Sequence, residues 1–253
     1  MKRYWIFTKK ELKEQWKNYK LIVLGCVLLV FAMLSPVLAK TMPEIFKNID
    51  MGVQFVIPDP TYVDAYGQFF KNMNQTIMIV IVFLFSGNIA QEINRGTAAM
   101  MFSKGLSRPA FVLSKFTAEC LIWTFSYWLS VGVFWGYTQY LFPDQTPENF
   151  FIAMFCLWLL ISFILAVINL ASVISNQSYI TMILSGSVIM VFYIASAFPK
   201  LTDYLPTTLG NINMELITGV KGTGDIVIPV LVTAGLTITC LLAAIALFQK
   251  KQI

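Results

Sequence analysis

The sequence predicts an all-α integral membrane protein with six transmembrane helices, an N-terminal amphipathic helix at the membrane surface and a short extra helix between the second and third spans. Three observations carry this reading. Only 12% of the 253 residues are charged and 57% are hydrophobic, against roughly 25% charged in an ordinary soluble domain. Six segments, at 21–39, 73–90, 116–137, 150–172, 179–198 and 226–248, are apolar over 18 to 23 residues each, close to the ~20 that cross a bilayer core as helix. They are continuously apolar and do not alternate, which excludes the strands of a membrane barrel and leaves helices. What remains is too short for a second globular domain, so 1–253 reads as one transmembrane domain with a tail at 249–253.

The first element is 1–20. Trp5, Leu12, Trp16 and Tyr19 recur at helical spacing as one apolar stripe, and Lys9, Lys13, Lys17 and Lys20 line another face. Such a helix lies among headgroups with its aromatics toward lipid and its lysines toward anionic surface, and serves as a retained anchor and not a cleaved leader. Between the first two spans, Asp59 and Pro60 read as a helix start, followed by the stripe Tyr62, Tyr66, Phe69, Phe70 and Met73. That helix either packs over the mouth of the bundle or lies on the membrane. The glycines around Lys221 lack the order of a phosphate-binding loop and read as a turn.

Six spans put both termini on one side. That side carries 13 of the 18 Lys and Arg residues, which makes it the cytoplasm and makes the net charge of +5 a topology signal, not a nucleic-acid surface. A cell membrane of the bacterial plasma-membrane kind is the expected location. The absence of histidine removes His-based triads, zinc sites and proton relays. Cys26, Cys120, Cys156 and Cys240 each fall in a different span, where a thiol acts as a small hydrophobe. Glu119, one turn after Lys115, is expected to pair with it near the interface.

The loop between the second and third spans is the richest. It holds Glu92, Arg95, Gly96, Thr97, Lys104 and Arg108, and interposes Met100, Met101 and Phe102. Gly96 can take backbone angles closed to other residues, and Thr97 can cap a following helix. An apolar knob among cytoplasmic charges must be covered, either by headgroups or by a partner protein.

The run Glu92-Ile93-Asn94-Arg95-Gly96-Thr97, then Gly105-Leu106-Ser107-Arg108 and Lys115 at the head of a span, resembles the ABC-2-type permeases of ATP-binding cassette transporters. Gly105 departs from the pattern, which often has Pro there. Lys10-Glu11-Leu12, Ser35-Pro36, Ala39-Lys40 and Pro43-Glu44 add to the likeness, which spans essentially the whole chain. The resemblance implies an exporter subunit that hydrolyses nothing itself and holds no cofactor, with ATP and Mg on a separate cytoplasmic ATPase. It also implies a second permease, identical or a sibling. The loop helix becomes a coupling helix, with Glu92, Arg95, Gly96, Thr97, Met100, Met101, Phe102, Lys104 and Arg108 meeting the ATPase. Peptide, lipid or hydrophobic drug fits the apolar spans as cargo. A regulator or immunity protein that keeps the permease fold without transporting is the alternative.

Overall fold

The computed structural model describes residues 2–48, 59–103, 105–143, 146–175 and 177–251; the expected loop residue Lys104 lies outside them. Among the described residues every regular element is helical.

Helix α1 (Lys2–Lys17) turns sharply into α2 (Lys20–Asn48) at Tyr19, whose φ is +59°. Left-handed backbone is unfavourable for a bulky residue, and the turn is closed by the Tyr19 N–H donating to the Trp16 carbonyl at 3.0 Å. The next helix, α3 (Tyr62–Asn72), starts two residues later than Asp59 and Pro60 suggest, with Thr61 as its N-cap. The Asp64 carboxylate fixes that start, accepting from the backbone N–H of Thr61 at 2.8 Å and from its hydroxyl at 3.0 Å. Nor is α3 a separate surface helix. It continues through a π-helical turn (Met73–Ile77) into α4 (Met78–Phe85), and Tyr66, Phe69 and Met73 are fully buried.

Short α5 (Ala90–Asn94) and α6 (Thr97–Ser103) follow, then α7 (Arg108–Leu141), α8 (Phe150–Ile174) and α9 (Ser178–Ala195). Three small helices, α10 (Pro199–Thr202), α11 (Thr208–Asn211) and α12 (Asn213–Ile217), lead to the closing α13 (Val227–Lys250).

Among the described residues five helical stretches are long and apolar enough to cross a membrane: Lys20–Met42, Tyr62–Asn94, Phe150–Ile174, Ser178–Ala195 and Val227–Lys250. The segment expected as the third span lies within α7, which at 34 residues has ample length. Its apolarity is diluted by Trp123, Trp128, Trp135, Tyr127 and several hydroxyl residues, and the difference from six rests on that composition.

The core gathers on α8. Of its apolar window 72% is buried, against 11% for α9 and for α13. A helix hydrophobic all round belongs inside a bundle, and α8 is buried without a break from Leu160 to Asn169. The aromatics of α7 join it: Trp123 donates to the Trp158 carbonyl at 3.3 Å and Tyr127 to that of Met154 at 2.8 Å. All four cysteines are free. A second cluster, with Phe111, Val112, Val173, Ala244 and Phe248 at its heart, closes the end where both termini lie, called the basic end below.

Candidate functional site

At the basic end α1 packs against α7, and the face it turns inward is polar. Thr8, Glu11 and Gln15 are buried, while Trp5, Trp16 and Tyr19 are turned outward at 62%, 59% and 66% exposure. Leu12, the remaining member of the expected stripe, is half-buried against the main core. Lys9, Lys13 and Lys17 are exposed, but Lys20 turns inward and donates to the Asn88 side-chain carbonyl. The helix is thus inverted relative to a soluble one, with polar side chains against protein and aromatic ones outward.

The buried face of α1 meets α5 and α7 in one ionic network. The Lys115 ammonium lies 2.8 Å from Glu11 and 3.0 Å from Glu92, and neither Lys115 nor Glu11 exposes more than 3% of its side chain. Lys10 adds bonds to Glu14 at 2.6 Å, Glu11 at 3.0 Å and Glu92 at 3.5 Å. The three carboxylates offer oxygens within 4.8 Å of one another, a spacing suited to a cation, and the two lysines stand among them. Part-burial opposes charge on Lys10, yet the hydrogen bond to Glu14 and the charges of Glu11 and Glu92 hold it well above the usual lysine range. Glu14 is the converse: desolvation pushes it up, but the bond and charge of Lys10 prevail and it ends below the usual carboxylate range.

The expected Lys115–Glu119 pair does not form. Lys115 reaches the two acids of other helices, and the fully buried Glu119 accepts instead from the amides of Asn88 and Asn169, each at 2.5 Å. Lys20, Asn88, Glu119 and Asn169 therefore link α2, the α4–α5 junction, α7 and α8 at one level. A cavity of about 680 Å³ opens beside these groups, reaching Gln15, Arg95, Thr97, Met101 and Ser178.

The loop beyond Glu92 is arranged around two glycines. Gly96 has φ +69° and Gly105 φ +85°; the second angle is closed to proline, so the departure from the family pattern is a different turn, not a defect. Thr97 does not use its hydroxyl to receive helix amides: it donates back to the Glu92 carbonyl at 3.1 Å, tying α6 to α5. The apolar knob is divided. Met100 is 60% exposed, with Arg95 and Ala99 exposed beside it. Met101 packs into the cluster at the basic end, and Phe102 meets Phe111 and Phe248 edge-on, with ring centroids 5.5 and 5.9 Å apart. Arg108 turns away from the loop to the end of α13, donating to the carbonyls of Phe248 at 3.3 Å and Lys251 at 2.9 Å, and also to that of Gln249. These carbonyls lie at a helix C-terminus, where positive charge is favoured.

Glu11, Gln15, Lys20, Asn88 and Asn169 were absent from the site expected from sequence. The signal on α1 was the polar repeat Thr8, Glu11, Gln15; for the pairing of Glu11 with a lysine 104 positions away no local signal exists.

A curated relative, the "Uncharacterized transmembrane protein YxlG" of Bacillus subtilis (strain 168), is 25% identical over 165 residues, which cover 63% of this chain and 64% of that protein. The family model described as "ABC-2 family transporter protein" matches residues 5–252. That match takes in the inverted α1, the glycine-bounded α6 and every candidate span, and the chain belongs to the ABC-2 family of transporter proteins.

Proposed function

We propose that the chain is the permease subunit of an ABC exporter, coupled through α6 to a separate cytoplasmic ATPase and paired with a second permease, identical or sibling. In this reading α7 is the sixth span, the basic end faces the cytoplasm, and α1 lies along the inner leaflet of the cell membrane. The observation that carries it is the two-sided build of α6. One side presents Ala99 and Met100 outward, with the exposed Arg95 just ahead of the helix, and the other is keyed by Met101 and Phe102 into a cluster contributed by α7, α8 and α13. A push on the exposed side is thereby delivered to three long helices at once, and packed helices pass on such displacements as small rigid shifts. The sparsely buried faces of α9 and α13 leave room for the second permease and for a peptide, lipid or hydrophobic drug as cargo.

Met100→Asp tests the reading. The side chain is exposed, so the purified permease keeps its thermal stability. Burying an unpaired carboxylate against a partner costs several kcal/mol, so co-purification of the ATPase falls at least tenfold and substrate-stimulated hydrolysis disappears. Unchanged co-purification and hydrolysis would mean that Met100 faces headgroups and that the contact lies elsewhere. An ATPase held normally by the unaltered chain without any transport in vesicles would favour the regulator reading.

A further inference from the structure

Helix α1 is docked at a cost that its departure would relieve. Gln15 is 3% exposed, yet neither its amide nitrogen nor its amide oxygen has a hydrogen-bond partner among the described residues. A buried amide unsatisfied at both ends weakens the docked arrangement, because both ends regain bonds in water. Nor do the acids of the same helix depend on α7 for a cation. Lys10 bonds Glu11 at 3.0 Å and Glu14 at 2.6 Å within α1 itself, so the helix carries its own counter-ion.

On the other side of the contact, Lys115 has a second acid within its own helix. Glu119 follows four residues later on α7, the spacing at which a lysine and a carboxylate share a helix face, and the two residues are buried at 2% and 0% exposure. In the docked arrangement Lys115 is taken by Glu11 and Glu92, while Glu119 is held by the amides of Asn88 and Asn169. Neither amide would be stranded without it. Asn169 also donates to the Leu165 carbonyl at 2.9 Å, and Asn88 lines the cavity at the basic end. Lys20 is kept from Glu119 by the same Asn88 amide, whose oxygen it occupies.

We infer that Lys115 is a partner-exchange switch with two settings. In one it joins Glu11 and Glu92 and holds α1 against α7. In the other it turns to Glu119, and α1 leaves with Lys10, Glu11 and Glu14 paired among themselves and Gln15 hydrated. Glu92 then loses both lysines and gains water as α1 departs. No charge is left both buried and unpaired in either setting, which is what allows two packings of one chain to lie close in free energy. The Glu92 carbonyl accepts the Thr97 hydroxyl at 3.1 Å, so release of the Glu92 carboxylate also frees the start of α6. The exchange thus ties the docking of α1 to the setting of α6. It needs this chain alone and holds whether or not the chain transports.

The test uses Thr8→Cys in the detergent-purified full chain, in a background lacking the four native cysteines. Thr8 is 1% exposed on the docked face of α1, and its hydroxyl bonds the Tyr4 carbonyl of its own helix, so the reaction of the new thiol with a charged, water-soluble maleimide reports undocking. Asn169→Leu, on α8, withdraws a donor from Glu119 and breaks no bond of α1. Losing one hydrogen bond to a charged group drives Glu119 toward Lys115, and the thiol should react about tenfold faster. Adding Glu119→Gln removes the alternative partner and should abolish that gain. Equal quickening with and without Glu119 would mean a merely loosened fold, and an unchanged rate would mean that Lys20 meets the freed carboxylate; either result overturns the exchange. Where Asn169→Leu does not fold, Glu119→Gln alone decides: it should slow the thiol of the otherwise unaltered chain at least twofold, and a rate equal to the native one, or faster, overturns the exchange.

Discussion

Lys115→Met removes the cation around which the basic end is assembled. In the native chain its ammonium sits 2.8 Å from Glu11 and 3.0 Å from Glu92, with side-chain exposures of 3% for Lys115, 3% for Glu11 and 11% for Glu92. Methionine fills nearly the same volume, so packing is preserved and the loss is electrostatic. Two buried carboxylates are left with only Lys10, a partner 40% exposed. Breaking a buried pair from one side costs about 3–5 kcal/mol, a large part of the ~5–15 kcal/mol that holds a domain together. At about 2–4 °C per kcal/mol for a chain of this size, the midpoint of thermal unfolding should drop by roughly 6–20 °C, read from monodisperse protein in detergent. The partner variant Glu11→Gln removes one of the stranded charges, so Lys115→Met with Glu11→Gln should recover part of that loss, and the coupling between the two positions should exceed ~1 kcal/mol. A fall of under 2 °C, or a double variant no better than the sum of the singles, would refute the view that this network fastens α1 to α7.

Three further outcomes follow from the same geometry. Arg108→Met strips the charged donor from three carbonyls at the end of α13, and thermal unfolding should report a loss of about 1.5–3 kcal/mol, with Arg108→Lys recovering part of it. The Lys10–Glu14 contribution should be level across neutral pH. Glu14 is lowered, so its share is present above its ordinary value of 4.5 and fades as pH falls through the depressed one. Lys10 is raised, so its share is full below 10.5 and fades only as pH climbs through the elevated value; a stability step between pH 6 and 9 that vanishes in Lys10→Met would contradict this. Orientation is checked with an impermeant thiol reagent on intact cells in a background lacking the four native cysteines: a cysteine at Val220, 76% exposed, should react. One at the exposed Gln177 should react only after permeabilisation, and the reverse pattern would invert the topology.

The sequence was most informative where lipid dictates composition. Long apolar runs were legible because a membrane span must present such residues to hydrocarbon, and the helical spacing of Trp5, Trp16 and Tyr19 was enough to put them on one outward face of α1. Gly96 was legible for a related reason, since a left-handed turn between two short helices has few other solutions. The inward face of α1 was hidden by a habit carried over from soluble proteins, in which polar residues are expected to point to water. The phase of α6 could not be read either: seven residues make barely two turns, so whether Met100 or Phe102 faces inward is decided by the aromatic rings of α7 and α13. The partners of Lys115 and Glu119 were set in tertiary space by helices distant in the chain.

The fastening of α1 also has a bearing on how the protein is made. Glu11 and Lys115 stand 104 positions apart, so at ribosomal speeds of roughly 5–20 residues per second the first helix emerges about 5–20 s before its counter-ion. During that interval Glu11 and Gln15 have no α7 to meet, and the face of α1 that ends up buried has no protein against which to close. Docking of α1 therefore waits on the synthesis of α7. On the proposed six-span reading, a chain whose α7 fails to insert keeps an acid-bearing α1 undocked.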